Sequence, residues 1–156
     1  LYRPAGGERT PLCPGITDQA VADEAGNWHA PQDEYMNGLN VMQFVMNEMP
    51  WLVNDVLDQE GWTIDDVDVF PFHQANAMIV KNLARAIHAP KEKVLLHVDG
   101  IGNVGGASLA IALCASAEVR SHKWAKALMC EFGAGMSGVA MTADFSKTCF
   151  LPVNLC

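Results

Sequence analysis

Between Val67 and Phe145, short apolar runs rich in β-branched and aromatic residues alternate with helix-forming stretches, and this alternation limits the possible folds more than any other feature. Val67, Val69, Phe70 and Phe72 form the first run, with Asp65, Asp66 and Asp68 on one side and His73–Gln74 on the other. It reads as a buried strand. Ala77 to Ala89 follows as a helix, with Ile79, Val80, Leu83, Ala84 and Ile87 on one face and Pro90 as its stop. The pattern then predicts a strand over Val94–Val98, a glycine-rich turn over Gly100–Gly106 and an Ala/Leu-rich helix over Ser108–Arg120. A strand over Ala127–Glu131, a second glycine-rich turn over Phe132–Gly138 and a last strand over Val139–Phe145 complete the series. Strands alternating with helices of about 10–15 residues specify a parallel sheet covered by helices on both faces. The final pair, joined by a short turn, should run antiparallel at the sheet edge. The expected class is therefore α/β, layered, with a mostly parallel sheet and an antiparallel edge pair.

Upstream, Met42, Val45, Met46, Met49, Val53, Val56 and Leu57 recur at helical spacing, predicting an amphipathic helix over Tyr35–Leu57 that Pro50 should kink or divide. Gly61 reads as its C-cap, and Thr63 with Asp66 as a short capping pair. Residues 1–34 hold four of the eight prolines, so an irregular arm is expected there, forming a substrate-side loop, with 35–156 as the domain proper. A layered sheet of this kind wants a further strand where the polar arm stands, so the chain reads as truncated at its N-terminus.

Half of the 156 residues are hydrophobic and 18% are charged, too rich in core material for a disordered segment. The net charge of −8 argues against nucleic-acid binding, which needs clustered Lys and Arg; Lys123 with Lys126 is a small basic cluster. No apolar run is long enough to span a membrane, and the start of the chain lacks the apolar region of a signal peptide. Five cysteines without a C-x-x-C pair read as reduced thiols of a cytoplasmic protein.

Three polar or glycine-rich points fall just after strand ends, at 73–76, 99–106 and 132–138. Ligands of open α/β sheets bind at that edge. His73, at the first, can be a general base, a donor to a developing oxyanion, a metal ligand or a hydrogen-bonded structural histidine. The second point, Gly100-Ile101-Gly102-Asn103-Val104-Gly105-Gly106, matches the dinucleotide pattern G-x-G-x-x-G, but its acid, Glu131, lies beyond the usual spacing of roughly 20 residues. The other reading is a tight turn that presents Asn103. The third, Phe132-Gly133-Ala134-Gly135-Met136-Ser137-Gly138, is either a hairpin turn or a set of backbone N–H groups forming an oxyanion hole. His29, His88, His97 and His122 show no metal-ligand spacing. Cys114 sits mid-helix and Cys130 in a buried strand, so both read as packing residues rather than nucleophiles. The methionines at 36, 42, 46 and 49 read as core, though a Met-rich face can also line an acyl tunnel. A His, an Asn and a backbone hole without a nucleophile make an incomplete site.

The segments VDVFPFHQANAMIVKNLARAIHAPKEKVLLHVDGIGNVGGASLAIAL and KALMCEFGAGMSGVAMT resemble the C-terminal half of β-ketoacyl-acyl-carrier-protein synthase III, a condensing enzyme of the thiolase fold. The set FHQAN, GN-x-x-x-AS and FGAG carries the likeness. The resemblance implies a Cys-His-Asn site in which His73 and Asn103 are catalytic, the backbone N–H of Ala134 completes an oxyanion hole, and the Cys lies in the N-terminal half. It implies that Gly38, Met42, Ala75, Asn76 and Phe132 line the pantetheine and acyl channel. It further implies decarboxylative Claisen condensation of an acyl-CoA primer with malonyl-acyl-carrier protein in fatty acid biosynthesis, with these as substrates and no separate cofactor or metal. The implied partners are the acyl carrier protein, docking on basic residues such as Lys81 and Arg85, the chain's own N-terminal half and a second copy in a homodimer. Two other readings stand beside it: a related thiolase-fold acyltransferase of secondary lipid or polyketide synthesis, and an association domain that is catalytically silent in isolation.

Overall fold

Asp23 shapes a small hairpin near the head of the chain. Its Oδ1 accepts from the backbone N–H groups of Ala25 (2.9 Å) and Asn27 (2.8 Å), and Gly26 takes the required positive φ of 83°. Strand β1 (Val21–Ala22) thereby pairs antiparallel with β2 (Trp28–His29). Tyr2 and Tyr35 exchange backbone hydrogen bonds of 2.9 and 2.7 Å, with their rings edge-on at 5.2 Å. These belong to the first of two units, Leu1–Leu39 and Asn40–Cys156, in a computed structural model that describes residues 2–116 and 123–153. The stretch read from sequence as an irregular arm is thus ordered in part by side-chain-to-backbone bonds, which leave no apolar period to detect.

Helix α1 (Gly38–Glu60) runs through Pro50 without being divided there. Proline removes one N–H from the helical ladder, at a cost of about 3 kcal/mol. Val45, Met49 and Val53, all at 0% exposure, and Leu57 at 5% lie on both sides of it. Burying each is worth about 1.5–3 kcal/mol, so the apolar face outweighs the lost bond. The helix ends as expected at Gly61, whose φ is 67°. Trp62 N–H donates to the Leu57 carbonyl (2.9 Å) and Gly61 N–H to that of Asp58 (3.3 Å), which is a Schellman closure. Thr63 also pairs with Asp66 as predicted: its N–H and Oγ1 both donate to Asp66 Oδ2, at 2.8 and 2.7 Å.

Helix α2 (Ala77–Ala86) stops earlier than the expected Ala89. His88 takes a left-handed φ of 59°, and the N–H groups of His88 and Ala89 donate to the carbonyls of Arg85 (3.1 Å) and Ala84 (2.8 Å). The same closure is therefore made with a non-glycine residue, which costs about 1–2 kcal/mol. His88 is exposed. Replacing it with glycine is expected to stabilise the chain by about 1 kcal/mol, seen as a higher denaturation midpoint; a lower midpoint would count against strain at this cap.

The run Val67–Phe72 lies between two segments and pairs parallel with both, through isolated bridges at Val69–Ala127, Phe70–Val94 and Phe72–Cys130. It is not an uninterrupted strand, because Pro71 has no N–H to donate; its carbonyl still accepts from Cys130 N–H at 3.4 Å. The expected strand over Val94–Val98 is reduced to the bridge at Val94, and Val98 instead opens a helical turn, α3 (Val98–Ile101). Gly105–Ala107 forms a 3-10 turn, and α4 (Ser108–Ala115) follows. The rest of the expected helix, to Arg120, lies largely outside the described residues. Strand β3 (Ala127–Gly133) pairs antiparallel with β4 (Ser137–Ala143) in the register Ala127–Ala143 to Gly133–Ser137. Both strands reach further into the glycine-rich segment than expected, leaving 134–136 as the turn. The antiparallel edge pair beside parallel pairing is the arrangement the sequence predicted. Met49 lies against Gly138, where an added Cβ would collide with its side chain.

Candidate active site

His73 stands where the parallel pairing ends. Its backbone N–H donates to the Cys130 carbonyl (2.9 Å), so the register of Phe72 against Cys130 delivers the imidazole beside the end of β3. The residue is 7% exposed, and the Phe132 ring meets the imidazole edge-on at 4.9 Å. Nδ1 is buried without a hydrogen-bond partner, and Glu131 Oε1 lies 3.6 Å from it. A buried polar atom left unpaired costs about 1–3 kcal/mol and marks a position held for something other than stability. Burial lowers the His73 pKa and raises that of Glu131; desolvation bears harder on the imidazole, whose side chain is 9% exposed, than on the carboxylate, at 30%.

Gln74 explains why two amide residues follow this histidine at a core strand end. At 2% exposure, its Nε2 donates to the carbonyls of Phe72 (2.8 Å) and Leu95 (3.1 Å), and its Oε1 accepts from His97 N–H (2.9 Å). The side chain takes the place of a strand ladder around residues 94–97. Asn76 caps α2, its Oδ1 accepting from Ile79 N–H at 2.8 Å. Ala75 is half-buried and packs against the core.

Asn103 lies in the loop before α4 and is exposed. Its Oδ1 accepts from Gly105 N–H (2.9 Å) and from Ser108 Oγ (3.4 Å), so the loop holds the amide oxygen and leaves the NH2 end for other partners. The G-x-G-x-x-G match fails structurally: Gly100 lies within α3 and Gly105 opens a 3-10 turn, so the motif does not bridge a strand directly to a helix. Ala134 occupies the β3–β4 turn, where its carbonyl accepts from Ser137 Oγ at 2.9 Å. Gly38 opens α1, and Met42 on the same helix packs against the core.

Cys130 is fully buried, and burial together with Glu131 pushes its thiol up to about 12. It is inert as a nucleophile near neutral pH, as the sequence suggested. Cys114 is half-buried in α4. Among the described residues no group of three His, Cys, Asp or Glu could hold a metal ion, and no helix is long and apolar enough to cross a membrane. The sequence pattern offers Glu131 only as the acid of a dinucleotide motif. The structure instead places it beside His73, a position readable only once Phe72 is known to pair with Cys130.

Residues 57–145 match the family described as 3-oxoacyl-[acyl-carrier-protein (ACP)] synthase III C terminal. The chain belongs to this family. It is 31% identical over 148 residues to the β-ketoacyl-[acyl-carrier-protein] synthase III of Symbiobacterium thermophilum, covering 94% of this chain and 42% of that protein. With the synthase III of Geobacillus kaustophilus it shares 34% over 143 residues, covering 88% and 46%. The chain thus spans less than half the length of these curated relatives. A solved 3-oxoacyl-(acyl-carrier-protein) synthase III superposes with a TM-score of 0.83 at 26% identity, over 91% of this chain and 42% of that one. The synthase III structure from Thermus thermophilus gives 0.68 at 26%, over 85% and 40%. These neighbours have the thiolase fold, as the resemblance to synthase III implied. Within the synthase III C-terminal family match lie His73, Asn103 and the β3–β4 turn.

Proposed function

We propose that this chain supplies the His–Asn half of a condensing site that joins an acyl-CoA primer to malonyl-acyl-carrier protein with loss of CO2, in fatty acid biosynthesis. The observation that carries the reading is His73, buried at a strand end with an unpaired ring nitrogen, in a chain matched to the synthase III family over 57–145. The acylated cysteine comes from the other half of the protein. Decarboxylation puts charge on the malonyl thioester oxygen; His73 and the Asn103 NH2 act as donors aimed at that oxygen, and a developing oxyanion is where fixed donors lower a barrier most. Ala134 N–H serves the acyl-enzyme oxyanion, while Gly38, Met42, Ala75, Asn76 and Phe132 line the pantetheine and acyl path. CO2 loss itself generates the carbanion, so the reaction calls for no cofactor. The acidic carrier docks on the exposed Lys81 and Arg85 of α2, and the protein works as a cytoplasmic homodimer.

Asn103 offers the direct test. In the full-length protein, Asn103→Ala is expected to lower malonyl decarboxylation by about 10- to 100-fold, with 3-oxoacyl thioester as the product in the parent. Full turnover in this variant, or no 3-oxoacyl product from the parent, would sink the reading. A second reading, a related acyltransferase of polyketide synthesis, is favoured by the 30% identity over 72% of this chain to a priming β-ketosynthase from the R1128 polyketide pathway. Products from a panel of acyl-CoA primers decide between the two.

A further inference from the structure

The side of the His73 ring that carries Nδ1 is closed. Nδ1 has no hydrogen-bond partner, and the nearest charged atom the structure gives it is Glu131 Oε1 at 3.6 Å, less than an ångström outside hydrogen-bond length. The ring cannot swing away freely, because the Phe132 edge stands against it and its backbone N–H is tied to Cys130. Glu131 can adjust, since its side chain is 30% exposed.

A neutral imidazole has two tautomers, and they meet this surrounding differently. With the proton on Nδ1, a buried donor faces a carboxylate oxygen. With the proton on Nε2, a bare lone pair on Nδ1 faces that oxygen and has no donor within reach. The second arrangement places two electron-rich atoms together in a site of low polarity, where such contacts cost most.

We infer that Glu131 is a positioning residue that holds the proton of resting His73 on Nδ1, leaving the lone pair on Nε2. Burial of the imidazole, which disfavours its charged form, is consistent with a neutral resting ring. If the chain takes part in the proposed condensation, this tautomer sets an order of events. Nε2 first accepts the proton released when the partner half's thiol becomes a thiolate. The acyl group passes from CoA to that thiolate and CoA leaves as its own thiolate, protonated from solvent, so Nε2 keeps an N–H that can donate to the malonyl oxygen, with Glu131 offsetting the charge of the imidazolium. Base and donor, two of the roles the sequence leaves open for this histidine, are then taken in turn: base first, donor second.

The tautomer can be read without any assay of activity. Nitrogen-15 spectra of the full chain, labelled at histidine, report which ring nitrogen carries the proton, and the His73 signal among the five histidines is identified by its loss in His73→Gln. At neutral pH the parent is expected to favour Nδ1–H by about tenfold or more, and Glu131→Ala to bring that bias below about twofold. Glu131→Gln keeps the shape and an oxygen acceptor but not the charge, and should cut the bias at least about threefold even if the alanine variant does not fold. A parent ring protonated on Nε2, or a tautomer ratio unmoved in either variant, overturns the inference. Both results stand whether or not the parent protein condenses acyl groups.

Discussion

His73→Ala in the full-length protein is expected to lower malonyl decarboxylation by about 10²–10³-fold, or about 2.7–4 kcal/mol of transition-state stabilisation. The effect should fall on kcat rather than KM, since in the proposed condensation the oxygen that would receive the N–H carries its charge in the transition state and not in the bound thioester. Removing the imidazole also vacates space against Phe132, so a stability control is needed. His73→Gln supplies it: an amide N–H on a side chain of similar reach should recover part of the rate, while a merely structural histidine would show recovery of stability alone. Undiminished turnover in the alanine variant would remove His73 from the chemistry.

Phe70→Ala is expected to destabilise the chain by about 3–5 kcal/mol, measured as a fall in the denaturation midpoint with an unchanged denaturant slope. Phe70 is fully buried, and its ring lies 5.8 Å from that of Phe72 at 49°. Its backbone N–H donates to Lys93 (2.8 Å) and its carbonyl accepts from Leu95 (3.2 Å), so the residue joins the central run to the 93–95 segment. Truncating the ring leaves a cavity in a layer held by parallel bridges rather than by a full ladder, and the site has limited means of collapsing. A loss below about 1 kcal/mol would mean that neighbouring side chains of the buried cluster repack into the space.

Local features were legible because they depend on nearest neighbours. The α2 face of Ile79, Val80, Leu83 and Ala84, the Gly61 closure and the Thr63–Asp66 pair all follow from spacing or from the chemistry of a few adjacent side chains. The errors came where distant groups intervened. Pro50 failed to break α1 because burial on both sides of it outweighed one lost hydrogen bond. The strand expected at Val94–Val98 shortened because Gln74, in a different segment, claimed the backbone groups of Leu95 and His97. The α2 helix stopped early because His88 accepted a conformation usually left to glycine.

By itself the amino-acid sequence determined that strands and helices alternate, that an antiparallel pair closes the series, and that a histidine stands at a strand end just before a helix. Those are consequences of periodicity and short-range hydrogen bonding. Only the tertiary structure decided that Phe72 pairs with Cys130, which sets Glu131 and Phe132 around His73 and leaves Nδ1 buried with a carboxylate as its neighbour. The register of a strand against a segment far away in the chain depends on how whole apolar faces fit together, and a shift of one residue would turn every side chain of β3 to its opposite face.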